Sequence, residues 1–294
     1  MNYPEIEKDR ASGVAIMWFD QPGEKINKLS IDIGESFSKA LDEFEKDPEI
    51  KGVVLISRKK DCFIAGADIH QFLEVTNCRE GEALSRQAHA FFDRVEKFPK
   101  PVVAAIHGTC MGGGTEMSLA CHYRIATDDP KTCIALPEVK LGLLPGAGGT
   151  QRLSRLVPLR HAMDIMLTGK NIYCKKAKSI GLVDEVVAPS VLLDTAKKAA
   201  LKLSAGPICR KKKLALIDFL LESCGLGRKI AYRAARKRVM KETGGHYPAP
   251  LKIIECVEAG IEKGKASGFE AEAKKFGELI VTTECRNLIQ IFFN

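Results

Sequence analysis

The sequence predicts an α/β core of mainly parallel strands followed by a helical C-terminal region. Two observations carry that assignment. Through the first 200 residues, apolar runs of strand length alternate with segments of helical periodicity, and after about Pro189 only the helical period remains. The size of the chain agrees, since 294 residues with 45% apolar and 28% charged content can bury a substantial core.

Taken in order, Val14 to Phe19 (VAIMWF) and Gly52 to Ser57 (GVVLIS) read as buried strands. Between them, residues 31 to 46 carry apolar side chains at Ile33, Phe37, Ala40, Leu41 and Phe44, a helical stripe closed by Asp47-Pro48. Pro101 to His107 and Tyr123 to Thr127 are further strands, a helix is expected after Gly112 to Gly114, and another over Arg160 to Thr168. The helical region comprises Val191 to Ala205, Leu214 to Leu221, Arg228 to Lys241, Pro250 to Lys263 and Glu270 to Thr282. No internal repeat or low-complexity tract interrupts this order.

Bulk properties exclude several function classes. No apolar stretch approaches the roughly 18 to 20 residues that span a bilayer. The opening MNYPEIEKDR has early acids and no apolar segment, so it fits neither a secretory signal nor an acid-poor transit peptide, and the expected setting is reducing. Ten cysteines are scattered without a C-x-x-C pair, which fits buried small hydrophobes better than disulfides or a metal site, and no metal ligand set is expected. The formal charge of +8 is local: residues 206–241 hold eleven Lys or Arg and two acids, so the rest of the chain is nearly neutral. That segment reads as a solvated face, as a binder of phosphates, or, with its apolar cluster at Leu214 to Leu221, as a membrane-surface contact. Nucleic acid is the reading with least support, for want of a recognised fold or interleaved aromatics.

Three segments depart from what packing alone asks for: Phe63 to Ile69 (FIAGADI), Met111 to Glu116 (MGGGTE), and Leu136 to Glu138 followed by Gly142 to Thr150 (GLLPGAGGT), all expected as loops. Glycines at a helix start expose unsatisfied N–H groups at the positive end of the helix dipole, where an oxyanion can bind. The glycines alone leave a close packing contact equally open. Glu116, three residues past Gly113, favours the anion site, although first-turn acids also serve the helix dipole. No Walker A loop, G-x-G-x-x-G fingerprint or G-x-S-x-G elbow is present, and His107 in its apolar strand reads as a structural residue.

Together these segments closely resemble the crotonase family of acyl-CoA enzymes. The resemblance rests on Phe63 to Ile69, Lys100 to Arg124 (KPVVAAIHGTCMGGGTEMSLACHYR) and Leu136 to Leu153 (LPEVKLGLLPGAGGTQRL), in family order, and covers about residues 12 to 190. It implies a crotonase-like ββα-superhelix spiral core over residues 1–190. Acids at both 116 and 138 resemble the enoyl-CoA hydratase pattern within the family. GEKINKLS at 23–30, LTGKNIYCKKAKSIGLVDEVV at 167–187 and HYPAPLKIIECVEAGIEKG at 246–264 extend the likeness to the N-terminal hydratase half of the multifunctional α-subunits of fatty-acid oxidation. On that likeness, residues 191–269 form the helical region with its basic segment, and 270–294, with a helix over Phe276 to Phe293, link to a 3-hydroxyacyl-CoA dehydrogenase half. The abrupt end at IQIFFN suggests a longer natural chain.

The resemblance further implies roles. Glu116 and Glu138 are the catalytic acids, Ala67 and Gly113 donate the oxyanion-hole N–H groups, and Gly66, Asp68, Gly112, Pro145 and Gly146 position substrate and water. Coenzyme A enters as part of the substrate, and no separate cofactor is expected. An oligomer, a thiolase β-subunit as partner, and a bacterial cytoplasm or mitochondrial matrix as location follow from the same likeness.

Overall fold

The computed structural model describes residues 4–206 and 214–293. Its elements run β1 (Glu5–Asp9), β2 (Val14–Phe19), α1 (Ile31–Lys46), β3 (Gly52–Ser57), β4 (Cys62–Ile64), α2 (His70–Glu74), α3 (Cys78–Glu96), β5 (Val102–Ile106), β6 (Thr109–Met111), α4 (Gly113–Ala120), β7 (Tyr123–Thr127) and β8 (Cys133–Ala135). A 3-10 turn at Pro137–Leu141 precedes α5 (Gly149–Leu156), α6 (Leu159–Thr168), β9 (Ile172–Tyr173), α7 (Cys174–Ile180), β10 (Glu185–Val187) and α8 (Leu192–Ser204). The rest is helical: α9 (Leu216–Glu222), α10 (Gly225–Thr243), α11 (Pro248–Lys263), α12 (Lys265–Ile280) and α13 (Thr283–Phe293). Among the described residues, no helix is long and apolar enough to cross a membrane.

The chain folds into two compact units. The first comprises Met1–Asp68, Phe91–Ala135 and Ile172–Lys211. Its large sheet has the order β1-β2-β3-β5-β7-β10, parallel throughout except for β1, and its small sheet the order β4-β6-β8-β9. The apolar runs of β2, β3 and β5 are buried on both faces, as a parallel sheet requires, and so is β7 despite its Arg124 and Thr127. One face packs Val14, Ile16, Val54, Ile56, Val103 and Ile125 against Ala196, Ala199 and Ala200 of α8. A methyl added at Gly52 would lie 2.9 Å from the Cβ of Ala200, so the glycine lets α8 approach. Three times in succession the chain gives one strand to the large sheet, the next to the small sheet, and then a helical segment: β3-β4, β5-β6 and β7-β8. This is the ββα spiral that the motifs implied.

The second unit comprises Ile69–Ala90, Leu136–Asn171 and Lys212–Asn294 and is helical. Ile253, Ile254 and Val257 of α11 and Ala273, Phe276 and Leu279 of α12 are buried in its core. Helices α5, α11 and α12 meet at small residues: a methyl on Gly268 would come within 2.6 Å of the Cα of Gly260 and 1.9 Å of Gln151 Oε1. Leu216, Phe219 and Leu220 of α9 and Leu226 and Ile230 of α10 are exposed, Leu216 to 77%. Several bases of α10 already face acids, since Arg228 pairs with Glu262 at 2.6 Å and Arg236 with Glu258.

Two differences from the expected elements stand out. Helix α3 is not among the expected elements: its buried positions recur at helical spacing, but Gly81, Ser85 and His89 are not apolar, and only Phe92 and Val95 give a hydrophobic signal. The helix expected over Phe276 to Phe293 is broken. Thr282 N donates to Leu279 O at 3.0 Å, and its hydroxyl accepts from Cys285 N at 3.2 Å, so the threonine closes one helix and caps the next.

Candidate active site

In the first unit, Asn27 sits at the base of the Phe63–Ile69 segment. It is fully buried, and its amide donates to Phe63 O and Ser57 Oγ, both at 2.9 Å. The next residues run alongside it: Ala65 N donates to Asn27 O at 2.8 Å, Leu29 N to Gly66 O at 2.8 Å, and Asp68 N to Leu29 O at 3.1 Å. Leu29 thus forms a parallel bridge with Ala67. In such a bridge the bonds go to the residues on either side of Ala67, so its own N–H faces away from Leu29. Gly66 makes the required turn at φ +122°, a region open to glycine.

On the facing side, Gly112 has φ +54° and donates to Ala135 O at 3.0 Å, and Gly113 starts α4. As a first-turn residue, Gly113 has no intrahelical acceptor for its N–H. A methyl on Gly113 would stand 3.5 Å from Ala67 N, and one on Gly66 would stand 3.8 Å from Gly113 N. The structure therefore brings the backbone of Gly66, Ala67, Gly112 and Gly113 together. The helix dipole adds its positive end there.

Glu116 belongs to the same helix; the residue is 3% exposed and its N–H donates to Gly112 O at 3.0 Å. Helix α4 is short and held firmly. Thr115 Oγ1 donates to Cys110 O and Ala135 O at 2.9 and 2.7 Å, and Gly114 fits because a methyl there would meet Ile64 O at 2.4 Å. At its C-terminus the buried Arg124 donates to Ser118 O and Cys121 O, at 3.1 and 2.7 Å, and to Leu182 O at 3.1 Å. Its guanidinium lies 3.3 Å from Asp184. Asp68 is half-buried at the end of the glycine turn.

Glu138, Pro145 and Gly146 belong to the second unit. Glu138 is half-buried in the 3-10 turn, its carbonyl accepting from Leu143 N at 3.0 Å. Tyr247 clamps that turn by donating to Val139 O and accepting from Gly142 N at 3.0 Å. Burial pushes the Tyr247 phenol above its usual range, which leaves it the neutral donor that this role needs. Pro145 is buried and Gly146 half-buried ahead of α5.

The three motif segments are less loop-like than expected. Phe63 and Ile64 belong to β4, Thr109 to Met111 form β6, Pro137–Leu141 is a 3-10 turn, and Gly149 begins α5. Small-sheet pairing takes up the residues just ahead of Gly66 and Gly112, in strands of three residues that are too short to show a period in sequence. His107 Nε2 donates to Lys59 O at 2.7 Å, a structural contact.

Residues 9–270 match the family described as enoyl-CoA hydratase/isomerase. This chain belongs to that family. The fatty acid oxidation complex subunit alpha of Shewanella sp. (strain ANA-3) is 49% identical over 286 residues, 97% of this chain and 40% of that protein. The corresponding subunit of Shewanella baltica (strain OS155 / ATCC BAA-1091) is 48% identical over 284 residues. The chain thus spans about 40% of the length of these relatives. Among solved structures, enoyl-CoA hydratase from Bacillus anthracis is 27% identical with a TM-score of 0.60, over 100% of this chain and 96% of that one. Human mitochondrial delta3-delta2-enoyl-CoA isomerase, 23% identical with a TM-score of 0.68 over 98% of this chain and 96% of that one, shares the fold.

As a member of the enoyl-CoA hydratase/isomerase family, the chain is an enzyme of that class, with the fold its motifs implied. Sequence reasoning passed over the residues that support the site from a distance: Asn27, Arg124, Tyr247 and Glu272. Asn27, Arg124 and Tyr247 lie within quoted motifs and Glu272 lies outside them, yet none carries a local signal of its role.

Proposed function

We propose that this chain hydrates trans-2-enoyl-CoA to 3-hydroxyacyl-CoA in fatty-acid β-oxidation. The observation that carries the reading is the close approach of the backbone at Ala67 to that at Gly113, one helical turn from the buried acid Glu116. The N–H groups of these two residues hold the thioester oxygen as negative charge develops on it, and one such donor typically contributes about 3 to 4 kcal/mol to lowering the barrier. Glu116 takes a proton from water as the oxygen bonds to C3, and Glu138 delivers a proton to C2 as the enolate collapses. Gly66, Asp68, Gly112, Pro145 and Gly146 position the substrate and the water. Coenzyme A arrives as part of the substrate and no other cofactor takes part. The test is steady-state hydration of crotonyl-CoA. Glu116→Gln and Glu138→Gln are each expected to lower kcat by about a hundredfold or more, within the usual range for a general acid or base. Activity of both variants within about threefold of the wild type would reject the reading.

A secondary isomerase activity follows from the same chemistry, because moving a double bond from C3 to C2 needs only one acid to take a proton from C4 and return it to C2. Glu138 is the shuttle in this reading. The chain acts within a multi-subunit assembly that includes a thiolase β-subunit and a 3-hydroxyacyl-CoA dehydrogenase half, in a bacterial cytoplasm. The relatives' name as subunits of a fatty acid oxidation complex supports that setting.

A second reading concerns surface association. The exposed apolar residues of α9 and α10 lie beside the exposed bases Lys229, Arg233 and Lys237, the composition of an interfacial helix. We infer peripheral contact with an anionic membrane surface through residues 214–241; the expected segment began at 206, and 207–213 lie outside the described residues. Co-sedimentation with cardiolipin vesicles at low salt is expected, with release at high salt. No binding at low salt would reject it.

A further inference from the structure

The turn from Gly146 to Thr150 is gripped by hydrogen bonds from two other helices. On one side, Ser85 of α3 donates to Gly146 O at 2.5 Å. On the other, Glu272 of α12, with no exposed surface, accepts from Gly148 N at 2.5 Å, from Thr150 N at 3.1 Å and from the Thr150 hydroxyl. His89 lies between the two, its Nε2 donating to Glu272 Oε1 at 2.7 Å and standing 3.4 Å from Ser85 Oγ. The glycines are required by the same packing. Gly148 has φ +95°, and a methyl on Gly146 would come within 2.4 Å of the Phe276 ring, one helical turn after Glu272.

A carboxylate at the start of α5 is ordinary helix-dipole chemistry. Two features go beyond it. The carboxylate reaches the turn from 122 to 124 residues away in sequence, and a serine and a histidine on a third helix complete the grip. A cap that only stabilised α5 would need neither Ser85 nor any hold on Gly146.

We propose that Glu272, with His89 and Ser85, is a positioning residue for the hydration step. The network fixes the Gly146 turn relative to Glu138, eight residues earlier, so that the attacking water and the acid keep a constant geometry. The proposal rests on the reading that Glu138 and the Gly146 turn serve hydration. None of the three residues touches the reacting atoms; they act through the backbone of the turn. Small displacements of a positioned group are costly in rate, and the cost falls on the chemical step rather than on binding.

The experiment is crotonyl-CoA hydration by the full chain carrying Glu272→Ala, Glu272→Gln or Ser85→Ala, with melting temperature recorded for each. Glu272→Ala is expected to lower kcat at least tenfold with KM within twofold of the wild type. Glu272→Gln retains an acceptor for the turn and is expected to recover kcat to within about threefold. Ser85→Ala, which leaves the carboxylate in place, is expected to lower kcat three- to tenfold at unchanged KM. Should Glu272→Ala fail to fold, the Ser85→Ala result decides. A folded Glu272→Ala or Ser85→Ala with wild-type kcat overturns the proposal, as does a loss confined to KM. Glu138→Gln in the same assay separates the two ideas: if it keeps full activity the acid role fails, whereas the positioning role is judged on the kcat of the Glu272 and Ser85 variants alone.

Discussion

At the scale of single residues, the first unit depends on a few buried polar side chains that spend most of their bonds on backbone. Arg124 is the largest fully buried side chain, at 1% exposure, and three carbonyls and one carboxylate receive its guanidinium. A charge removed from water in this way is tolerated only because all its partners are in place. Arg124→Met keeps much of the volume but leaves the carbonyls of Ser118, Cys121 and Leu182 without their donor. Breaking a buried pair from one side costs about 3 to 5 kcal/mol, and denaturant unfolding is expected to show a loss of that size. A change below about 1 kcal/mol would mean that water replaces the guanidinium. The role was illegible in sequence, because an arginine ending the motif LACHYR has no mark that separates a buried brace from a surface base.

At the scale of elements, α9 is held to α6 by charge more than by apolar packing, since most of its apolar side chains are exposed. Asp218 of α9 is buried, and its carboxylate takes the Arg160 guanidinium at 3.0 Å, while Glu222 accepts from Leu159 N at 2.6 Å. Burial, the largest single influence on Asp218, raises its proton affinity, but hydrogen bonding and charge from Arg160, with help from His161, outweigh it. The carboxyl therefore lies below its ordinary range. A group with a lowered folded pKa contributes stability above the unfolded value of about 3.9, and loses that contribution as pH falls through the folded value. Asp218→Asn is accordingly expected to melt earlier than the wild type at pH 7, and the gap should close as pH drops below about 4. A gap that stayed constant with pH would show that the ion pair does not anchor α9. Periodicity had located this helix as Leu214 to Leu221, close to the observed Leu216–Glu222. Its partner on α6 could not be read, because no rule of spacing joins residues 160 and 218.

At the scale of the whole molecule, six of the nine described cysteines are buried and pack as small hydrophobes, and burial pushes the Cys110 thiol up to about 12. The sequence alone determined the class of fold, the strands β2, β3, β5 and β7 of the large sheet and the bounds of α1. In these, each apolar residue reports burial directly through a period of 2 or 3.6 or through an unbroken run. It also determined the three motifs, since glycines beside acids at strand-to-helix junctions serve a backbone approach that ordinary packing does not ask for. Tertiary structure alone decided that the backbone at Ala67 approaches that at Gly113, because the approach depends on Leu29 bridging one and α4 beginning at the other. It alone decided the supports of the site residues in the second unit: Tyr247 reaches Val139 across 108 residues, and Glu272 reaches Gly148 across 124. Such contacts join residues distant in sequence, and a buried acid or phenol is written in the same letters as an exposed one. The physical reason is that burial and partnership belong to the packed chain, whereas periodicity belongs to the local backbone.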